Sequence, residues 1–168
     1  MPFISSPIVG TSLTSTYASG TTPPMVPGTM LLATEGGEYM MVRATSTIAQ
    51  YDACVIINTS SATGASIGCV PVTTTNGATS SRLCFAQTAI TSGDYGWVAL
   101  KGNNLRVKTL IACQPGVPLF TTATAGSLDD TIVSAGYCMG VTLMSSATSA
   151  SAPPCVAGVC AVTYIGST

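Results

Sequence analysis

The chain has 168 residues, six acidic and five basic side chains, no histidine and a net charge of −1. This length suits a single domain with a real core. The charge balance excludes an electrostatic footprint for nucleic acid, and the missing histidine excludes Ser–His–Asp and Cys–His nucleophiles. Only 7% of residues are charged, against about 25% in a typical soluble domain. So weakly charged a surface tends to associate, and other chains are expected to cover much of it.

Residues 1–28 read as an extended N-terminal arm. They carry Pro2, Pro7, Pro23, Pro24 and Pro27 and no charge, and proline fixes φ and removes backbone donors. Phe3, Ile4, Ile8, Val9, Leu13 and Tyr17 are more apolar than a spacer needs, so the arm is expected to pack on a neighbouring subunit or partner. The opening MPFISSPIVG lacks a basic segment and has prolines where a signal peptide is apolar. No stretch supplies the roughly 20 apolar residues of a membrane helix.

Residues 29–168 read as one β domain. Thr29 to Thr34 and Glu38 to Ala44 form a hairpin around Glu35-Gly36-Gly37. A polar turn at Tyr51-Asp52 feeds an apolar strand to Ile57. Asn58 to Ser66 is a Ser/Thr/Gly loop, and Ile67 to Thr73 a short strand whose Pro71 suits an edge or an end. Thr74 to Ser81 is a loop and Arg82 to Ile90 a strand. The central stretch SGDYGWVALKGNNLRVK, 92–108, reads as a second hairpin. Tyr95 to Lys101 goes out, Gly102-Asn103-Asn104 reverses the chain, and Leu105 to Leu110 returns. Trp97 would anchor its core.

Cys113-Gln114-Pro115-Gly116 turns the chain into a short apolar run, 117–121. A polar loop holding Asp129-Asp130 follows, then a strand at 137–144. Ser145 to Ala152 is low in complexity, Pro153-Pro154 breaks the chain, and Cys155 to Ile165 is a last apolar strand. A local phrase recurs: Ile48-x-x-Tyr-Asp-x-x-Val, Ile90-x-x-Gly-Asp-x-x-Trp-Val and Ile111-x-x-x-Pro-Gly-Val-x-Leu each carry an apolar residue, a tight turn and a strand. The fold class that follows is all-β, a small barrel or sandwich of short antiparallel strands with little helix.

Chemistry is sparse. The acids are Glu35, Glu38, Asp52, Asp94, Asp129 and Asp130. Glu35 and Glu38 keep a loop tip in water, and Asp52 and Asp94 cap turns before strands. Asp129-Asp130 alone is a thin cation site. Seven cysteines (54, 69, 84, 113, 138, 155 and 160) sit mostly in apolar runs and read as small buried hydrophobes. Cys155-x4-Cys160 lacks the partners of a zinc site. No phosphate-cradling glycine loop occurs. No catalytic residue, metal or cofactor is expected.

AITSGDYGWVALKG (89–102), LRVKTLIACQPGVPLFTTATAGSLDD (105–130), GYCMGVTL (136–143) and GTMLLATEGGEYMMVRATSTIAQYDACVI (28–56) resemble the capsid cement, or decoration, proteins of tailed bacteriophages. The resemblance implies a β-barrel or sandwich on the outside of an icosahedral head. It further implies a trimer near threefold positions that binds the major capsid protein and stabilises the expanded shell. Such a protein is made in the host cytoplasm and ends on the outer capsid surface. The proline-rich arm and the segment with Cys155 and Cys160 lie outside it. The expected contacts are Phe3, Ile4, Ile8, Val9, Leu13 and Tyr17, the loops at 58–66 and 74–81, and the cations Lys101, Arg106 and Lys108. Two other readings stand beside this one: a receptor- or glycan-binding module using Trp97, and a hydrolase built on two carboxylates.

Overall fold

The computed structural model describes residues 12–33, 36–61, 64–77, 82–132, 136–147 and 154–166, with the backbone alone at 60–61, 64–65, 154–164 and 166. Among them are ten strands and no helix. They are β1 (Met30–Leu32), β2 (Glu38–Ala44), β3 (Ala53–Ser61), β4 (Gly64–Pro71), β5 (Leu83–Ala86), β6 (Tyr95–Lys108), β7 (Leu119–Thr121), β8 (Leu128–Asp129), β9 (Tyr137–Leu143) and β10 (Pro154–Gly166).

Strands β2, β4, β3, β5 and β6 close into a five-stranded barrel, because β2 pairs with both β4 and β6. Closure removes the free edges an open sheet would present. Side chains alternate across each strand. Met40, Val42 and Ala44 of β2, Cys54 of β3, Cys69 of β4, Cys84 and Ala86 of β5, and Val98 and Leu100 of β6 fill the lumen. The first two copies of the recurring phrase meet at one end, while Ile111 of the third is exposed. Ile48 and Ile90 exchange both backbone hydrogen bonds, each 2.9 Å, and their side chains are buried in the lumen cluster. The closing pair is thin and parallel: β2 and β4 share the pairs Arg43↔Gly68 and Ala44↔Cys69, as few as the two antiparallel pairs between β5 and β6. Gly68 is required there, since a Cβ would lie 2.8 Å from the Thr59 methyl.

The outer face of β3, β5 and β6 packs against a second layer, β6-β10-β9-β7-β8. Phe85, Leu105, Val107, Leu119, Leu128, Leu143 and Ile165 form the core between them. The barrel half of the expected barrel or sandwich is therefore the right one, with an added outer sheet.

The central stretch is not a hairpin. β6 runs unbroken through Gly102-Asn103-Asn104, and no residue of that triplet has positive φ. Before it, β6 pairs with β2 and β5; from Gly102 on, it pairs with β10. The register slips there, with Ala157 opposite Leu105 but Val159 opposite Gly102, so the turn-like triplet is a bulge that hands the strand from one sheet to the other. Trp97, Ala99, Leu105 and Val107 keep one parity on both sides of it. Asn58 to Ser66 is not a free loop either. β3 and β4 extend through it as a hairpin with Thr59 opposite Ser66 and Ser61 opposite Gly64, and residues 62–63 lie outside the described residues.

From Ser12 onward the arm lies on its own barrel. Tyr17 and Tyr95 exchange backbone hydrogen bonds of 2.9 and 2.8 Å, and the Ser19 N–H donates to Asp94 Oδ1 at 2.9 Å. Met25 is buried with Met41 and Trp97, and Leu13, Tyr17 and Leu31 pack around them. Trp97 thus anchors the arm to the barrel wall rather than a hairpin to itself.

Candidate partner-binding surface

The three cations of the central stretch do not form a free basic patch. Lys101 Nζ lies 3.2 Å from Glu38 Oε1 on the neighbouring strand. Lys108 Nζ lies 3.1 Å from Asp52 Oδ1, with the Asp52 side chain 5% exposed. Arg106 lies 5.6 Å from the centre of the Tyr51 ring, within reach of a cation–π contact. The Gln87 amide brackets the Arg106 backbone by accepting from its N–H and donating to its carbonyl. Of the remaining cations, Arg43 donates from Nε to the Gly93 carbonyl at 3.2 Å.

Asp52 is built in more deeply than a turn cap. Its Oδ2 accepts the Ala49 N–H at 2.8 Å, which is the expected cap. Tyr51, the residue before it, takes a left-handed backbone conformation at φ 71°. Gly126, at φ 75°, lies so close that a Cβ there would collide with the Asp52 carboxyl. Asp94 caps across the chain, holding the arm through Ser19, 75 residues away. Neither link has a signal in the sequence, because both partners are distant and chemically ordinary.

Among the described residues, exposed large apolar side chains fall in two groups. Val26, Met30 and Leu32 belong to the arm and β1, with Leu32 74% exposed; Ile111, Ile132 and Met144 lie on segments that flank the outer sheet. β1 ends the sheet order, so its far edge carries no described strand. Beside it a groove of about 430 Å³ is lined by Leu13, Tyr39, Gln87, Asn103, Asn104 and Leu105, with no Asp, Glu, Lys or Arg among its described lining residues. Leu13 and Tyr17 are half-buried against the barrel, so their apolar faces are spent within the protein. Phe3, Ile4, Ile8 and Val9 lie outside the described residues, as do residues 78–81 of the second expected contact loop. Its described part is a tight turn, where Asn76 Oδ1 accepts the Thr73 N–H and Asn76 Nδ2 donates to the Pro71 carbonyl.

Cys113, Asp129 and Asp130 bring three ligand-type atoms within 4.8 Å of one another. Their bonds are internal: the Cys113 thiol donates to Asp129 Oδ1, and the Gln114 N–H donates to Asp130 Oδ2 at 2.9 Å. Burial pushes the Cys113 thiol up to about 11 and the Cys138 thiol up to about 12, which makes both poor nucleophiles at neutral pH. The five described cysteines, Cys54, Cys69, Cys84, Cys113 and Cys138, are buried and reduced, as small hydrophobes should be. Trp97 is fully buried, so the ring is not available to stack on a sugar.

No family model matches the chain, and no curated protein matches it. Among solved structures it is similar to the N base of head fiber gp8.5 of bacteriophage phi29, with 15% identity, a TM-score of 0.48, and coverage of 73% of this chain and 92% of that one.

Proposed function

We propose that this chain is a structural protein of a tailed-phage virion. It binds the outer surface of the icosahedral head as an oligomer, a trimer in the reading that the sequence resemblance implies, and cements neighbouring capsomers. The observation that carries the reading is the surface. In a chain with 7% charged residues, Lys101 and Lys108 are consumed by internal pairs, while Val26, Met30, Leu32, Ile111, Ile132 and Met144 face outward. Such a surface gains by being covered.

The mechanism is bridging. Each copy touches more than one shell subunit and adds binding free energy only where those subunits hold the spacing of the expanded shell, so binding stabilises that state by linkage. The contact surface we assign is Val26, Met30 and Leu32, and we add Phe3, Ile4, Ile8 and Val9, outside the described residues, on their apolar character alone. Arg106 is a secondary contact to an acidic patch on the major capsid protein, since Lys101 is held by Glu38. Lys108 is committed to Asp52 and Leu13 and Tyr17 to the barrel, so these three act by holding the surface in place.

Purified protein added to expanded heads that lack it should co-sediment with them and raise their resistance to heat and osmotic shock. Leu32→Asp should abolish co-sedimentation with the fold intact, and Arg106→Glu should weaken it. Heads that bind the protein without any gain in resistance would exclude cementing, and heads that fail to bind it would exclude the whole reading.

A further inference from the structure

The groove beside β1 lies where the described chain begins. Ser12 is the first described residue, and Leu13 already lines the groove. Leu13, Tyr39 and Leu105 supply its apolar lining, and Asn103 and Asn104 supply polar lining. Both asparagines are exposed, and both fall in the register slip of β6, with no β10 partner among the described pairs. A bulge leaves its extra residue unpaired, and two side-chain amides add further donors and acceptors. The Gln87 amide, by contrast, is spent on the Arg106 backbone.

Residues 1–11, which lie outside the described residues, match this groove in chemistry. They carry no charged side chain, and the groove has no Asp, Glu, Lys or Arg among its described lining residues. Their large aliphatic and aromatic residues come as two adjacent pairs, Phe3-Ile4 and Ile8-Val9. Neighbours on an extended segment point to opposite faces, so each pair offers one apolar side chain to each side. Such two-sided apolarity suits a segment with one surface beneath it and another above. Val9 stands four positions before Leu13, at most about 14 Å of chain, so the Ile8-Val9 pair is within reach of the groove.

We propose that residues 1–11 of the same chain close over this groove. One side chain of the Ile8-Val9 pair seats against Leu13, Tyr39 and Leu105, and the other faces outward. Asn103 and Asn104 bond the backbone of the segment, in which Pro7 removes only one donor. The tether at Ser12 keeps the segment at an effective concentration of about millimolar, which favours it over an untethered competitor. The inward contact is a property of the free protein. The outward face rests on the function proposed above: Phe3, Ile4 and the outward member of the second pair are held ready for the shell, so less ordering entropy is lost on binding.

The test uses the purified full chain without heads. In its nuclear magnetic resonance spectrum, Overhauser contacts should join the methyl groups of Ile8 or Val9 to the Tyr39 ring and the Leu105 methyls. A mixture of labelled and unlabelled copies should show these contacts within one chain only. Thermolysin, which cuts before large apolar residues, should cleave slowly at Ile8 and Val9. Asn104→Trp fills the groove from an exposed position and should speed that cleavage about tenfold or more, the factor that unseating one aliphatic side chain corresponds to. Ile132→Trp, exposed and outside the groove, should leave the rate unchanged. Absent Overhauser contacts, or equal cleavage in the unaltered chain and Asn104→Trp, would overturn the proposal. Contacts between labelled and unlabelled copies would overturn it in favour of exchange with a second copy. The spectrum of the unaltered chain decides even where Asn104→Trp fails to fold. Contacts present in a protein that does not bind heads would leave the seated segment standing and remove only the cementing role.

Discussion

The two halves of β6 do different work with similar materials. Residues 95–101 belong to the barrel and end on Lys101, whose partner Glu38 is 24% exposed. Residues 102–108 belong to the outer sheet and end on Lys108, whose partner Asp52 is 5% exposed. Both ion pairs tie β6 to much earlier residues, 63 and 56 positions away. The first sits where water screens it and contributes little. The second holds a carboxylate that is wedged against Gly126 and a backbone N–H, so its loss strands a buried charge. Identical chemistry at two places on one strand is decoration at one and structure at the other.

That contrast can be broken at its strongest point first. Trp97→Ala empties the site under the arm and should cost about 3–5 kcal/mol, measured by urea unfolding followed by circular dichroism. The Ser12–Gly28 stretch should become protease-sensitive in the same variant. Trp97→Phe should cost much less, because it also removes an indole N–H that has no partner among the described residues.

Lys108→Ala comes next. It leaves Asp52 unpaired and should cost about 3 kcal/mol, the low end for a buried pair because the ammonium is partly exposed. The joint variant Asp52→Asn with Lys108→Met should recover part of that loss. If Lys108→Ala is harmless, the two pairs are equivalent and the comparison fails.

The thiols of the outer-sheet core give a third handle. Cys113 and Cys138 have folded values raised to about 11 and about 12 from an ordinary 9.0. The unfolded chain therefore loses these protons first and binds fewer of them than the native state. Their contribution is complete below pH 9 and falls as pH rises from about 9 toward 12. Urea titrations at stepped alkaline pH should show this decline, smaller in Cys138→Ala. Last, Lys101→Ala should change stability by less than about 1 kcal/mol, with the effect vanishing at high salt.

The sequence read well where structure is local. The β2 stretch from Glu38 to Ala44, the β9 and β10 runs, the strand end at Pro71 and the scarcity of helix follow from alternation and turn chemistry. The Gly102-Asn103-Asn104 triplet misled because the same residues serve a turn and a bulge. The return of apolar residues to odd positions at Leu105 and Val107, after Trp97 and Ala99, was the available hint of a continuous strand. Its partner β10 begins at Pro154, too far along the chain for a pattern to announce. The surface was less legible than the fold. A cluster of cations looks like a contact patch until Glu38 and Asp52 are placed opposite two of them, and that placement depends on strand register across the closed barrel.

One strand shared by two sheets also sets how the protein comes apart and together. Neither layer can melt without stripping partners from the other, so heating should give one transition rather than two. Its partners at β2 and β10 lie far away on either side in sequence, which raises contact order and slows folding toward the millisecond-to-second range of all-β domains. Each copy would therefore fold as one cooperative unit, with the pairing of β6 to both β2 and β10 as its slow step.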